Sequence, residues 1–281
     1  MTLSSLWKRT RKTPPAVIDD MGFLIRETAE VYRARAKDCL TSHQLNEFRR
    51  DAYLYHRKAL GSQADDTPTE ADAGDALRVV ALEGPEQYKA RYALGGPVDA
   101  AGAPRGRYSS EFREWAAAQN RPVIDHEQAR LIGNLHDSVR GHRLAGELLS
   151  CGVAGGVIRT TYHGFACQDR IDWLNRERGL LGLKTTGNLQ WFEGDAKASG
   201  HVHEMAFHRA LVLQVTGRAL PTFLIAVETR EPFRCGVWAI GKDVLATAQR
   251  ENERAMEQLA RCRQSGCWPT GFEGLRTITW L

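Results

Sequence analysis

The sequence predicts an α/β protein in which a central mixed β-sheet is covered by helices on both faces and preceded by a helical N-terminal region. Three observations carry this. Beyond residue 150, segments dense in β-branched and aliphatic residues alternate with helical patterns in the order three strands, helix, two strands, helix. Before it, apolar residues recur at helical spacing, as in Leu131, Leu135, Val139, Leu144 and Leu148. No apolar run approaches the roughly 18 residues of a membrane span, so these elements must bury their apolar faces on one another.

Taken in order, residues 1–16, ending in Thr13-Pro14-Pro15, read as a mobile arm, followed by a helix from about Asp20 to Cys39. Thr41 and Gln44 stand at the spacing of a capping box and start a helix over 42–58. Residues 60–73 are a loop, 74–83 a helix and the Gly- and Pro-rich 95–106 a second loop. Helices follow at 109–119 and 126–149. Strands are expected at 156–162, 165–174 and 179–185, a helix at 190–216, strands at 221–229 and 233–240, and a closing helix at 243–264. This divides the chain into an N-terminal arm and helix, 1–38, and one domain, 39–281, with a helical part over 39–150 and a sheet core over 151–281.

At 281 residues the chain can bury a large core, and 42% hydrophobic with 26% charged residues is the composition of a globular protein. No h-region opens the sequence, so a cytoplasmic protein without a membrane segment is expected. The six cysteines show no Cys-x-x-Cys pair, and Cys262 and Cys267 are poorly spaced for a cluster, so they read as free thiols. The net charge of +4 hides a basic opening: residues 1–60 carry 12 basic and 7 acidic side chains. Such a cluster attracts phosphate by counterion release, but it is more often a plain solvated surface, and that is the reading preferred for the first dozen residues.

Gly182 and Lys184, two apart on a strand, point the same way, so Lys184 has no carboxylate beside it there. His201, Glu204 and His208 fall at i, i+3 and i+7, one face of the helix that follows. His203-Glu204 opens like a zinc-protease motif, but the next histidine is five residues on, and that reading fails. Gly152, Gly155 and Gly156 precede a strand and make no phosphate loop. Trp173, Trp191 and Trp238 read as buried core, with base stacking as the alternative.

Several segments lie in an informative order. Thr41-Ser42-His43-Gln44-Leu45 with Tyr53-Leu54-Tyr55 is followed by Gly74-Asp75-Ala76-Leu77-Arg78 with Leu82-Glu83-Gly84. Then come Cys167-x-x-Arg170-x-Asp172, Leu183-Lys184-Thr185-Thr186, Glu204-x-x-x-His208 and Trp268-Pro269. From about residue 38 onward this series resembles the RecE-type exonucleases, a phage and prophage branch of the PD-(D/E)xK nucleases. The resemblance implies that superfamily's core and a divalent metal, Mg²⁺ or Mn²⁺, polarising a phosphodiester. It implies catalytic roles for Asp172 and Lys184, and, since the acid is known to have migrated onto a helix among relatives, a catalytic role for Glu204 as the second metal ligand beside Asp172 if a metal is held. It places Arg78, Arg170, Thr185, Thr186 and His208 against DNA. It further implies duplex DNA ends as partner, a strand-annealing recombination protein beside it, a homo-oligomer and a bacterial host cytoplasm. The chain departs from the family pattern at Arg78 for a histidine, at Gly155 and Gly182 for acids, and at Glu204 and His208 for Gln and Tyr.

Three readings therefore stand. A DNA-binding pseudonuclease explains the departures together and is the reading preferred here. An active exonuclease using Asp172, Glu204 and Lys184 requires Glu204 to have replaced the acid missing at 182. A structural or assembly protein would keep the fold alone. The sequence further predicts Asp172 and Lys184 as close neighbours, Glu204 as a salt-bridge partner of Lys184 if no metal is held, and a strand that accepts Gly182→Asp as readily as glycine.

Overall fold

The computed structural model describes residues 22–61 and 73–277, so the expected arm and nearly all of the 60–73 loop lie outside the described residues. Among them the order is α1 (Ala29–Arg35), α2 (Ser42–Arg50), α3 (Ala52–Ala59), α4 (Ala73–Arg78), a π turn (Val79–Glu83), α5 (Pro85–Arg91), β1 (Ala93–Leu94), α6 (Ser110–Ala117), β2 (Val123–Ile124), α7 (His126–Gly141) and α8 (Arg143–Leu148). The sheet core continues with β3 (Val153–Tyr162), β4 (Phe165–Asn175), β5 (Gly179–Thr186), a 3₁₀ turn (Leu189–Trp191), α9 (Phe192–Ala198), α10 (His201–Thr216), β6 (Thr222–Glu228), β7 (Cys235–Ala239) and α11 (Lys242–Ser265).

All five expected strands form, and the Thr41 capping box closes: Gln44 N donates to Thr41 Oγ1 at 3.2 Å and Thr41 N to Gln44 Oε1 at 3.0 Å. The long helices are where expectation and structure part. The 42–58 helix breaks at Asp51, whose extended backbone lets its carboxylate accept from Leu54 N. The 126–149 helix breaks at His142, whose ring accepts from Ala145 N. In both cases a side chain caps a new helix in place of the i→i−4 ladder, a local competition that apolar spacing does not register. The 190–216 helix breaks at Gly200, whose φ of 77° ends one helix and begins the next. Of the expected 20–39 helix, whose first two residues lie outside the described residues, only α1 forms among the described ones, because Ile25 is extended and exchanges two backbone bonds with Val157 at the outer edge of β3. Helix α5, started by Pro85 at its first turn, was not expected.

The strands lie in the order β3-β4-β5-β6-β7, with β5 and β6 parallel and the other neighbours antiparallel, confirming the mixed sheet. One face carries Ile158, Ile171, Leu174, Leu180, Leu224 and Ala226 against Leu45, Phe48, Met205, Phe207, Leu211, Met256 and Leu259 of α2, α10 and α11. The other carries Ala154, Trp173, Leu181, Leu183, Ile225 and Val227 against α4, the π turn, α7 and α8. Both faces are thus buried. Among the described residues no helix is long and apolar enough to cross a membrane.

The two antiparallel strands β4 and β5 share only three residue pairs, from Asn175↔Gly179 to Trp173↔Leu181, and then part. Beyond that fork β5 stays with β6 through Thr186↔Glu228, while β4 stays with β3. The open edge of β4 is covered by the chain at Leu40, whose N–H donates to Ala166 O and whose carbonyl accepts from Gln168 N. Next to the fork the side-chain alternation shifts on both β3 and β4. Ala154 and Trp173 face one core, while Ile171 and the Cβ direction of Gly156 face the other. The residues between are Gly155, at φ 62°, and Asp172.

Candidate functional site at the strand fork

Asp172 stands where β4 leaves β5, and its carboxylate fills the backbone vacancy that the parting creates. Leu183 N donates to Asp172 Oδ2 at 2.9 Å. On the other oxygen, Arg78 Nε, from the last residue of α4, lies 3.9 Å from Oδ1. Arg78 is also paired with Asp75 one turn back. Its side chain is 34% exposed, so the guanidinium stands at the mouth of the fork.

Lys184 leaves β5 on the opposite side of the sheet's hydrogen-bond plane, toward α10. Its Nζ donates to both oxygens of Glu204, each at 2.8 Å. The lysine side chain is 9% exposed and the glutamate 21%. Glu204 Oε2 also lies 3.5 Å from His201 Nδ1, one turn earlier on the same helix. Burial opposes the charge on Glu204, but Lys184, His201 and His208 outweigh it and hold the carboxyl far below the ordinary carboxylate range. Asp172 and Lys184, expected as close neighbours, thus each engage a different partner, and Glu204 is the salt-bridge partner of Lys184 that the sequence suggested.

The third residue of the α10 face, His208, is buried, with Nε2 3.3 Å from Asp169 Oδ2 in an ion-pair approach that lacks hydrogen-bond alignment. Burial disfavours the imidazolium, yet Asp169, reinforced by Glu204 and Asp172, raises its pKa. Asp169 was not singled out from sequence. It is the better-connected acid, receiving Ser42 N at 2.8 Å, Arg170 N at 3.0 Å and Tyr32 Oη at 3.3 Å. The i, i+3, i+7 face is therefore real, but it serves two separate acid–base contacts.

The remaining sequence candidates spread out. Arg170 places its guanidinium 5.3 Å from the Tyr32 ring centroid and donates to Glu27 O. Thr186 Oγ1 accepts from Asn188 N and shapes the turn after β5, while Thr185 is half-buried beside it. Glu83 entered the sequence reading only as part of a motif, yet its carboxyl lies 3.4 Å from the Cβ direction of Gly155. There it grips Arg91 through two bonds of 2.9 and 2.5 Å. Of the tryptophans, Trp173 is buried and Trp238 packs on Phe192, but Trp191 is 69% exposed, which corrects its assignment to the core.

These residues do not fit a divalent ion. Mg²⁺ requires several oxygen ligands in near-octahedral order. One Asp172 oxygen is held by Leu183 N, and both Glu204 oxygens are held by the lysine ammonium. A Cβ at position 182 would point to the Lys184 side but would meet Met205 Sδ at 2.9 Å and Leu224 Cδ2 at 3.1 Å. The place of a second carboxylate is occupied by apolar atoms. Among the described residues no three or more His, Cys, Asp and Glu side chains are grouped to hold a metal.

Residues 72–278 match the family described as a PDDEXK-like domain of unknown function (DUF3799), and the chain belongs to that family. A solved structure from Eubacterium rectale, named "Putative exonuclease", superposes with a TM-score of 0.65 over 91% of this chain and 97% of its own, at 13% identity. That likeness shows the fold. No curated protein matches the sequence. The PD-(D/E)xK-like core read from the sequence is thus the fold of this family.

Proposed function

We propose that this PDDEXK-like chain binds nucleic acid on a nuclease fold without metal-dependent hydrolysis of it. The observation that carries the reading is the two-bonded Lys184–Glu204 pair, which neutralises the lysine and occupies both oxygens of the acid nearest to it. Asp172 is likewise committed to Leu183 N and Arg78. A hydrolytic site of this superfamily needs carboxylate oxygens turned toward an ion and a lysine turned toward a water; here both have turned toward each other. Binding is supported by the family's nuclease fold, and Arg78, partly exposed between Asp75 and Asp172, would have to exchange one of these carboxylates for a phosphate to take part. The expected ligand is a duplex DNA end and its strands.

A second reading has one specific observation in its favour: Glu204 is an acid within 2.8 Å of the lysine, so a hydrolase could be built on Asp172, Glu204 and Lys184. One experiment separates them. Fluorescein-labelled linear duplex and single strands are titrated by anisotropy over a salt series, and the same labelled ends are incubated with Mg²⁺ or Mn²⁺ and run on a denaturing gel. The proposal expects salt-dependent binding and intact strands. Metal-dependent shortening that disappears in Lys184→Ala would establish the hydrolase, and no binding at any salt would leave only the fold.

A further inference from the structure

Leaving an indole in water is unusual, because tryptophan buries most of its surface in folded chains. Trp191 is 69% exposed, and its setting shows why it cannot turn inward. The next residue, Phe192, is 2% exposed and holds the inward place, with its ring 4.6 Å from that of Trp238. Leu189, two residues earlier, packs on the same core. The short turn between them is fixed from both strands of the fork's parallel pair. Asn188 N donates to Thr186 Oγ1, Gln190 N to Asn188 Oδ1, and Leu189 N to Glu228 Oε1 at 2.9 Å. Glu228 is in turn clamped by Arg234 at 2.8 and 2.5 Å. The indole is thus held outward on a rigid support that begins two residues after Lys184.

The same support ties in a basic turn. Thr229 N donates to Thr186 O at 3.0 Å, and the segment that follows carries Arg230 and Arg234, both exposed. A fixed aromatic face and an arginine-bearing turn, both tied to Thr186 at the end of the strand that carries Lys184, combine the elements that proteins use to hold an unpaired strand: the ring stacks a base and the cations follow the backbone. We infer that Trp191 is a base-stacking platform for a nucleic-acid strand, with Arg230 as its phosphate contact. This rests on the proposed nucleic-acid binding for the nature of the ligand. Arg234 is given no direct role because its guanidinium is committed to Glu228.

The test uses the full chain with Trp191→Ala, Trp191→Phe and Arg230→Ala, titrated against a labelled single-stranded oligonucleotide and a blunt duplex. Trp191→Ala is expected to weaken single-strand binding about 10- to 100-fold with an unchanged salt slope, and Trp191→Phe to recover most of it. Arg230→Ala should reduce the slope of log affinity against log salt by about one. Thermal unfolding of Trp191→Ala should match the parent, since an exposed ring supports no core. Undiminished binding by Trp191→Ala while the parent binds overturns the stacking role alone. Failure of the parent to bind any strand removes the functional reading and this inference with it. A change in sedimentation of Trp191→Ala without a change in binding would assign the indole to a second copy of the chain and overturn the inference.

Discussion

Replacing Lys184 by methionine keeps the length of the side chain and removes its charge, leaving Glu204 facing His201 with no ammonium. Breaking a buried pair from one side costs about 3–5 kcal/mol, because the remaining charge is still desolvated. Glu204 retains 21% exposure, and water can relieve part of that, so the lower end, about 3 kcal/mol, is the expectation. For a fold of this size that is a fall in melting temperature of roughly 6–12 °C. Glu204→Gln should cost a similar amount, since it strands the lysine, which is 9% exposed. The double variant Lys184→Met with Glu204→Gln should lie within about 1 kcal/mol of either single variant, a coupling of about 2 kcal/mol or more. Urea unfolding of the four proteins, followed by circular dichroism, closes the cycle. The outcome has functional content. Residues held for catalysis are commonly strained, and their removal is neutral or stabilising. Single variants that leave stability within about 0.5 kcal/mol, or that add without coupling, would refute the assignment of the pair as a structural replacement for a metal site.

Other outcomes follow from the same geometry. Gly182→Asp should destabilise the protein by about 2 kcal/mol through crowding against Met205 and Leu224, contrary to the sequence expectation of an easy fit, and Met205→Ala in that background should recover part of the loss in urea unfolding. The depressed folded pKa of Glu204 gives stability that is fully present above its ordinary value of 4.5 and is lost as pH falls below it. Melting temperature should therefore drop between about pH 5 and pH 3, and Glu204→Gln should flatten that limb. Thiol labelling of the native protein should mark the exposed Cys151 and Cys267 quickly and leave Cys167 slow, since burial pushes the Cys167 thiol up to about 12.

Much of the sheet was legible because strand content is a local property here: residues 157–162 of β3 and Thr222–Glu228 are dense in β-branched and aliphatic residues, although β3 starts earlier than expected and takes in Gly155 and Gly156, which were expected to precede it. The helical breaks were not, since Asp51 and His142 act through single capping bonds that apolar spacing does not register. At the site, the face shared by His201, Glu204 and His208 could be read from spacing, as could the direction of Lys184. The partner of Asp172 could not. It is a backbone N–H exposed by the parting of β4 from β5, and where two strands separate depends on chain far away, including Leu40 on the open edge. Trp191 was misread for a related reason: in Gln190-Trp191-Phe192 either ring could have taken the core, and the turn's hydrogen bonds to Thr186 and Glu228 chose Phe192.

The fork also explains why an acid stands at 172 and a glycine at 182. Parting β4 from β5 leaves main-chain donors that must find acceptors, since an unsatisfied buried N–H costs about 1–3 kcal/mol. Asp172 accepts one of them from Leu183, while Asp169 accepts a free first-turn amide of α2 from Ser42. Both carboxylates therefore serve the fold whether or not an ion is ever held. Position 182 has no such duty. Its backbone lies in the β5–β6 ladder, and its side-chain direction meets Met205 Sδ and Leu224 Cδ2 before the Lys184 stem at 3.7 Å, so an acid there would crowd apolar atoms beside a lysine already paired with Glu204. Lys184 sits between these cases, because a nearly buried ammonium needs a counter-charge, and Glu204 supplies one through two bonds. Asp172 and Glu204 are thus each required by a backbone donor or a buried cation, and their presence alone is no sign of a retained metal site.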